Sequence, residues 1–272
     1  MRDPRPIGVF DSGVGGLTVL RALRAALPRE ATVYLGDTAR VPYGTRSAQT
    51  VITYAKNNAR TLVAHGDIKA LVVACNTVSA VAIEALRETV AVPVVGVIEP
   101  GARAAVAASS LTASIAVLGT QGTVRSGAYA RTLAALGHTG ATAAVACPLL
   151  VPLAEEGWTS GAVPELVVDR YLTALPDAVD VVILGCTHYP LLKDVIVDRL
   201  ARVRPGAGVV DGAAATAAAV RALINANDAG DRPPQHRLLV TDAPQQMATL
   251  GPAFLGAPVN VDDVELVDVI MR

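Results

Sequence analysis

The amino-acid sequence predicts an α/β fold of two similar open parallel-sheet domains, related by a pseudo-twofold axis, with a site in the cleft between them. Short apolar, β-branched runs alternate along the chain with Ala- and Leu-rich helical patterns, which is typical of parallel sheets crossed by helices. A chain of 272 residues is also long enough for two domains of ordinary size. The expected strands are residues 7–10, 32–35, 70–74, 93–97, 115–118, 142–146, 180–184 and 208–210.

The eight expected strands fall into two sets of four. Each set opens with an apolar strand that runs into a Gly-rich, hydroxyl-bearing turn, IGVFDSGVGG in the first set and IAVLGTQGTV in the second. The third strand of each set ends in a cysteine, with Cys75 in ALVVACNT and Cys186 in VVILGCTH. Ser12 lies 63 residues before Cys75, and Thr120 lies 66 residues before Cys186.

This repeat predicts that the two cysteines face each other. Ligands of open α/β sheets bind outside the carboxyl ends of the strands, and all four turns belong to that edge. If the halves are related by a twofold axis, Cys75 and Cys186 lie on opposite sides of one cleft. The alternative is a gene duplication whose cysteines only fill space in the core.

Two helices have clear sequence limits. The leucines of residues 17–27 recur every three or four residues, and the pattern stops before Pro28. A second helix is expected over residues 47–65, with Gly66 as its stop signal.

Composition and charge leave small molecules as the default partner. Lys and Arg number 23 against 24 Asp and Glu, so no strong field attracts nucleic acid or an anionic membrane.

The apolar run 7–10 is too short for a signal peptide, which favours a cytosolic protein. The uncharged stretches 104–124 and 132–154 are interrupted by polar residues, glycines or prolines, and we interpret both as buried segments of a soluble fold.

Three cysteines far apart in such a chain favour neither a disulfide framework nor a zinc-binding CxxC pair. Two thiols facing one small substrate suit the removal of a proton from one face of a carbon and its return to the other face. Both sulfurs reach that carbon only if they stand roughly 6 to 7 Å apart. A disulfide needs about 2 Å, so the same pair does not form a structural bridge.

A thiol needs help to act as a base at neutral pH. Its pKa is about 8.5, and lowering it to 7 takes roughly 2 kcal/mol, of which a helix N-terminus supplies about 0.3 to 1 kcal/mol. His188, two residues after Cys186, is the candidate to assist that thiol or relay its proton. His65, His138 and His236 are interpreted as surface or core residues.

Two aspartates follow expected strands. A carboxylate beside Cys75 raises the pKa of the thiol, so Asp11 is interpreted as the acceptor of a thiol proton or the partner of a cationic group on the substrate. Its alternative role is a helix cap before the Gly-rich turn. Asp37 is at least as well explained by capping or turn formation.

Six segments resemble the glutamate racemases, the cofactor-independent enzymes that interconvert L- and D-glutamate. They cover residues 7 to about 192 in the family's order and read GVFDSGVGGLTVL, GDTARVPYGTRS, ACNTVSA, VLGTQGTVRSGAY, CPLLVPLAEEG and LGCTHYPLL. The resemblance implies an amino-acid racemase of two α/β domains with no cofactor and no metal. It also implies that Cys75 and Cys186 are the catalytic acid and base, and that Asp11 and His188 take part in catalysis.

The resemblance further implies which residues surround the substrate. They are Asp11, Ser12, Tyr43, Gly44, Asn76, Thr77, Thr120, Thr123, Thr187 and His188. It suggests a supporting acid in AEEG, either Glu155 or Glu156, which are otherwise solvated loop charges. Cys147, in the CPL segment, carries no implied chemistry and is expected in the core.

The match weakens after residue 200, where the chain reads VVDGAAATAAAV from position 209. By resemblance, the C-terminal section returns to the first domain, which then comprises residues 1–98 and 209–272, with 99–208 as the second domain. The family supplies D-glutamate for peptidoglycan, so the resemblance implies a bacterial cytoplasmic enzyme of cell-wall biogenesis and cell shape, and a homodimer. Some members inhibit DNA gyrase, which the near-neutral composition neither favours nor opposes.

Five alternatives stay open at this stage. Gly13 and Gly15 imitate a dinucleotide-binding turn, but the third small position is Thr18. A cysteine hydrolase would use Cys186 as nucleophile and His188 as base. Cys75, Cys186 and His188 would together suit zinc. A racemase of a related amino acid such as aspartate, and a module that binds an amino acid without chemistry, complete the set.

Overall fold

The computed structural model describes residues 3–224 and 233–269, and the fold consists of two parallel sheets with helices packed on them. The strands are β1 (Ile7–Asp11), β2 (Thr32–Gly36), β3 (Ala70–Val73), β4 (Val94–Gly96), β5 (Ile115–Gly119), β6 (Thr142–Ala146), β7 (Val181–Gly185), β8 (Gly208–Asp211), β9 (His236–Val240) and β10 (Val264–Leu266). The helices are α1 (Leu17–Ala26), α2 (Ala48–Gly66), α3 (Asn76–Val81), α4 (Ile83–Arg87), α5 (Ile98–Ala107), α6 (Gln121–Ser126), α7 (Ala128–Ala135), α8 (Leu150–Glu155), α9 (Ala162–Leu172), α10 (Lys193–Val203), α11 (Gly212–Leu223) and α12 (Pro244–Leu255).

The internal repeat is present in the order of the strands. The first sheet runs β10-β9-β2-β1-β3-β4 and the second runs β6-β5-β7-β8, and every pair is parallel. The order β2-β1-β3-β4 therefore recurs as β6-β5-β7-β8. This confirms the predicted fold class and the two sets of four strands. The central strands are apolar and fully buried, as strands covered by helices on both faces must be.

The C-terminal section returns to the first sheet, where β9 pairs with β2 and β10 pairs with β9. The sequence pattern did not predict these two strands. The expected strand at 208–210 is observed as β8, which pairs with β7 in the second sheet. The expected domain boundary between 208 and 209 therefore cuts a strand that belongs to the second sheet, and the return to the first sheet begins after Asp211.

Both expected helices form, with small differences at their ends. Helix α2 is capped by Ser47, whose Oγ accepts a hydrogen bond from the Thr50 backbone N–H at 3.2 Å. Gly66 is the last residue of this helix, and the left-handed position that ends it is occupied by Asp67, with φ of 40°.

Helix α11 links the two halves, because it packs on α1 beside the first sheet and on α5 beside the second. A continuous cluster of buried apolar side chains also extends from Val9 and Leu17 to Leu150 and Cys186. The uncharged stretches 104–124 and 132–154 each divide into helix, strand and helix. Within the described ranges, no helix has both the length and the apolar character that crossing a bilayer requires.

Candidate active site

The two cysteines occupy matching positions at the carboxyl edges of the sheets. Cys75 lies two residues beyond β3 and directly precedes α3, and Cys186 directly follows β7. Both thiols are free, and each residue is only 6% exposed. The parallel strands thus deliver one thiol from each half to the same region.

The turn between β1 and α1 contacts the surroundings of both cysteines. Ser12 Oγ lies 3.5 Å from Cys75 Sγ, within hydrogen-bonding range of the thiol. A β-carbon added at Gly15 would lie 2.4 Å from both His188 Nδ1 and Thr187 Oγ1, the side chains that follow Cys186. Only glycine therefore allows this close approach between the halves. The turn thus contacts Cys75 on one side and the residues after Cys186 on the other, and we call the region between them the cleft.

Direct hydrogen bonds close the rim of this cleft. Thr77 Oγ1 and Thr120 Oγ1, from opposite halves, lie 2.9 Å apart. The Gly122 backbone N–H donates to the Gly44 carbonyl oxygen at 2.8 Å. Thr123 lies beside Thr120, with their hydroxyl oxygens 3.0 Å apart. Predicted substrate residues of the two halves are thus in direct contact at this rim.

His188 connects Cys186 to an acid. Its Nδ1 lies 3.9 Å from Cys186 Sγ, and its Nε2 lies 2.9 Å from Glu155 Oε1. Burial lowers the pKa of His188, but its bonds to Cys186 and Glu155 and their negative charges outweigh burial and raise the pKa to about 10. Of the two acids in AEEG, Glu155 makes this contact, whereas Glu156 is exposed.

Cys75 lies in a different electrostatic environment. Burial, followed by the charge of Asp11, raises the pKa of this thiol to about 12, and the bond with Ser12 opposes the shift. The negative charge of Cys186 adds to the rise. One thiol therefore has a cationic neighbour and the other an anionic one.

Asp11 is fully buried at the end of β1. Its Oδ2 accepts a hydrogen bond from the Gly13 backbone N–H at 2.9 Å, and its Oδ1 has no partner within the part of the chain that the structure describes. Burial raises the pKa of Asp11, while the charge of His188 opposes this shift. The side chain therefore makes a turn bond instead of capping α1, and it keeps one oxygen that can accept a proton or a hydrogen bond.

Asp37 and Tyr43 lie behind the cleft, where the Tyr43 hydroxyl donates to the fully buried Asp37 carboxylate. Asn58 and Thr241 also donate to Asp37, each at 2.9 Å, and Arg40 forms an ion pair with it at 2.8 Å. The Asp37 carbonyl accepts a hydrogen bond from the Arg40 backbone N–H at 3.2 Å in the turn that follows β2, whereas its side chain makes no helix-capping bond. Of the two expected explanations, the turn is present and the side-chain cap is not. The Tyr43 side chain is 1% exposed, so the segment that carries Gly44 presents its backbone to the cleft.

Sequence reasoning missed three residues that support the site. Tyr34 donates to the Gly13 carbonyl at 2.7 Å, Thr18 donates to the Thr187 carbonyl at 3.1 Å, and Tyr129 donates to Asn76 Oδ1 at 2.7 Å. For the two tyrosines a signal was available, since a tyrosine in an apolar segment needs a partner for its hydroxyl. Thr18 has no such signal in the sequence.

Two features lie outside the cleft. Cys147 is fully buried in the hydrophobic core, as expected, and its thiol donates to the Val145 carbonyl at 3.4 Å. An open groove of about 1470 Å³ between α4, α5, α7 and α11 contains neither catalytic candidate cysteine. Among residues 3–224 and 233–269, no group of three or more His, Cys, Asp or Glu is placed to hold a metal ion.

The fold and the cleft define a protein of two repeated α/β halves, each of which supplies one buried thiol to a shared site. The family model for Asp/Glu/hydantoin racemases matches residues 7–220. A glutamate racemase of Geobacter metallireducens is 49% identical over 93% of this chain and 93% of its own length. The chain belongs to the Asp/Glu/hydantoin racemase family.

Solved structures agree with this assignment. A glutamate racemase of Francisella tularensis in complex with D-glutamate superposes with a TM-score of 0.88 at 34% identity, covering 97% of this chain and 98% of the other. A glutamate racemase of Thermus thermophilus in complex with β-chloro-D-alanine has a TM-score of 0.84 at 44% identity, covering 97% of each chain. This structural similarity includes the C-terminal section, which lies beyond the last of the sequence motifs.

Proposed function

We propose that this chain interconverts L- and D-glutamate by moving a proton at Cα between Cys75 and Cys186, without a cofactor. The observation that carries the proposal is the pair of buried thiols at matching strand ends, one from each half, with the β1–α1 turn in contact with the surroundings of both. A stereochemical inversion at carbon needs this arrangement, because the proton leaves one face and arrives at the other. The family membership and the glutamate racemase relatives support the same reaction.

In each direction, one cysteine acts as a thiolate and the other as a thiol. The thiolate removes the Cα proton and leaves a planar carbanion, and the thiol then donates its proton to the opposite face. One thiolate and one thiol exist before and after the reaction, but in exchanged positions. The free enzyme therefore has to return each sulfur to its starting state, which needs a proton partner on each side.

We assign those partners from the contacts of the cleft. His188, held by Glu155, serves Cys186, and Ser12 with Asp11 serves Cys75. Because burial and the Asp11 charge raise the pKa of Cys75 to about 12, its thiolate needs a positive charge nearby. The ammonium group of the substrate supplies that charge, since an opposite charge lowers a thiol pKa.

The two substrate carboxylates bind to neutral donors. Of the arginines in the substrate motifs, Arg40 is paired with Asp37, and Arg46 and Arg125 are exposed. Backbone N–H groups, hydroxyls and one amide must therefore replace a cationic side chain. We propose that these donors come from Ser12, Gly44, Asn76, Thr77, Thr120, Thr123 and Thr187.

Circular dichroism of L-glutamate and of D-glutamate, each incubated with pure protein and no added cofactor, tests the reaction. Both samples should approach the same racemic end point. In deuterated water, the product should carry deuterium at Cα while the amino acid is conserved. A cysteine hydrolase that uses Cys186 and His188 would show neither result, and a binding module would bind glutamate without exchange and survive replacement of both cysteines by serine.

Substrate choice is a separate part of the proposal. Glutamate is favoured over aspartate because the similar relatives are named glutamate racemases. The same assay with L-aspartate should give a rate far below that with L-glutamate. Comparable rates would show that the cleft does not select for side-chain length.

Cellular role and assembly follow the resemblance. We propose that the enzyme works in the cytoplasm, supplies D-glutamate for peptidoglycan and forms a homodimer, which light scattering after size exclusion tests. An effect on DNA gyrase remains a prediction, tested by a supercoiling assay.

We retain the two-domain division, with the second domain extended from residue 208 to Asp211 because of the pairing of β8.

A further inference from the structure

Tyr129 lies between the segments that carry the two cysteines. It is 5% exposed in the first turn of α7, directly after Gly127, whose φ of 64° allows the chain to turn sharply from α6 into α7. Its ring lies against Gly185, the residue before Cys186, where an added β-carbon would approach Tyr129 Cε2 to 3.2 Å. Its hydroxyl donates at 2.7 Å to Oδ1 of Asn76, the residue after Cys75. This single side chain therefore touches the neighbours of both thiols from opposite halves.

The hydrogen bond from Tyr129 decides which end of the Asn76 amide faces the cleft. An amide has one acceptor oxygen and one donor NH₂ group, and these ends differ little in shape. Because Oδ1 accepts from Tyr129, Nδ2 is directed away from that bond. Nδ2 has no hydrogen-bond partner among the described residues, and it is not sealed from solvent, although Asn76 is only 6% exposed. It remains a free donor beside Cys75 and Thr77.

In the bond to Asn76 the phenol is the donor. Burial, followed by the negative charge of Cys186, raises the pKa of Tyr129, so the hydroxyl keeps its proton throughout the neutral and alkaline range. A protonated hydroxyl opposite Oδ1 stabilises the amide orientation with Nδ2 outward. In the opposite orientation the hydroxyl would accept from Nδ2, and its own buried proton would lose Oδ1 as an acceptor.

We propose that Tyr129 is a positioning residue of the racemisation: it orients the Asn76 amide across the cleft so that Nδ2 donates to a carboxylate of the substrate. This inference rests on the proposed function. Tyr129 itself touches neither the reacting carbon nor the thiols in this scheme, and it acts through Asn76 alone.

Tyr129→Phe tests the proposal because it removes the hydroxyl and keeps the ring against Gly185. The free amide then populates both orientations, and one of them turns Oδ1 towards a negatively charged carboxylate. We expect KM for glutamate to rise about tenfold, the effect of losing one hydrogen bond worth roughly 1.4 kcal/mol, with kcat changed by less than about threefold. Since the equilibrium constant between enantiomers is one, kcat/KM must fall equally in both directions.

A double-mutant cycle separates positioning from a general structural effect. If Tyr129 acts through Asn76, Tyr129→Phe should change KM by less than about twofold in an Asn76→Ala background. A merely structural role would give the same loss in both backgrounds. Tyr171→Phe is the matched control, because it removes a tyrosine hydroxyl from the second half that accepts a hydrogen bond from the Leu149 backbone N–H at 3.1 Å, away from both cleft cysteines. That variant should keep wild-type kinetics.

The possible results are distinguishable. A wild-type chain that does not racemise glutamate overturns the proposed function itself. An active wild type with unchanged kinetics in Tyr129→Phe, or with an equal loss in the Asn76→Ala background, overturns the positioning role alone. Unchanged thermal unfolding of Tyr129→Phe, compared with Tyr171→Phe, shows that altered kinetics do not come from unfolding.

Discussion

Glu155 contacts His188 on the side opposite Cys186: its Oε1 lies 2.9 Å from Nε2, whereas the thiol lies 3.9 Å from Nδ1. The imidazole therefore connects an acid from α8 to a thiol that follows β7. The charge that acts most strongly on Cys75 is instead the negative charge of the buried Asp11. The two halves repeat their strands but not the charges around their thiols. The two proton transfers therefore take place in different electrostatic environments.

Glu155→Gln should move the alkaline limb of the pH profile to lower pH. The bond to Glu155 and its charge are among the causes that raise the pKa of His188 to about 10, against the opposing effect of burial. Without that carboxylate, His188 loses its proton at a lower pH and stops stabilising the Cys186 thiolate there. Profiles of kcat/KM from pH 6 to 11 measure the shift. Glu156→Gln changes a neighbouring exposed acid and should leave the profile unaltered; equal shifts in both variants would contradict the pairing.

Asp11→Asn should have opposite effects on thiol reactivity and on turnover. After burial, the Asp11 charge is the largest cause that raises the pKa of Cys75 to about 12, so its removal lowers that pKa and increases the thiolate fraction at pH 8 to 9. Alkylation of Cys75 by iodoacetamide, followed by peptide mass spectrometry, should become faster. Racemisation should fall by about 10²-fold because the proton acceptor is lost.

Cys147 serves as an internal control in the same alkylation experiment. Its pKa is raised to about 12 by burial and by Cys186, with no contribution from Asp11. Its alkylation rate should therefore be the same in Asp11→Asn and in the wild type. Faster alkylation of both cysteines would indicate a loosened fold instead of a change in charge.

Gly15→Ala should impair closure of the cleft. The added methyl group would meet His188 Nδ1 and Thr187 Oγ1 at 2.4 Å, well inside van der Waals contact. Because both atoms belong to the opposite half, the halves have to move apart, and kcat/KM should fall by about 10²-fold while the fold persists. Gly13→Ala is the neighbouring control, since its methyl group meets only Val41 Cγ1 at 3.2 Å. Similar losses in the two variants would show that the turn tolerates no side chain at all.

The sequence alone predicted the parts of this molecule that depend on local patterns. Apolar runs of three to five residues, followed by turns, give the eight strands of the repeat in the correct places. The topology of parallel sheets then brings the ends of β3 and β7, and with them Cys75 and Cys186, to the same cleft.

Contacts between distant segments could not be predicted in the same way. Asp37 is held by Thr241, 204 residues later, and this bond exists only because β9 pairs with β2. The buried position of the Tyr43 side chain also has no local signal, because its hydroxyl donates to the same Asp37 carboxylate. Strand β10 was missed because it has only three residues and lies at the edge of the first sheet. Strand β9 was missed because it opens with the polar pair His236 and Arg237, which leaves an apolar run of three residues.

Cys75→Ser and Cys186→Ser should each reduce racemisation by at least about 10³-fold, since a serine hydroxyl is a far poorer base than a thiolate. Cys147→Ser, which changes a thiol in the core, should retain activity within a few-fold. Each cleft variant keeps one functional thiol, so half-reactions separate the two. With a β-substituted glutamate analogue, the remaining thiolate should still remove the Cα proton from one enantiomer and release the leaving group. The two variants should therefore prefer opposite enantiomers of the analogue, and a shared preference or near-normal racemisation by either variant would contradict the two-base assignment.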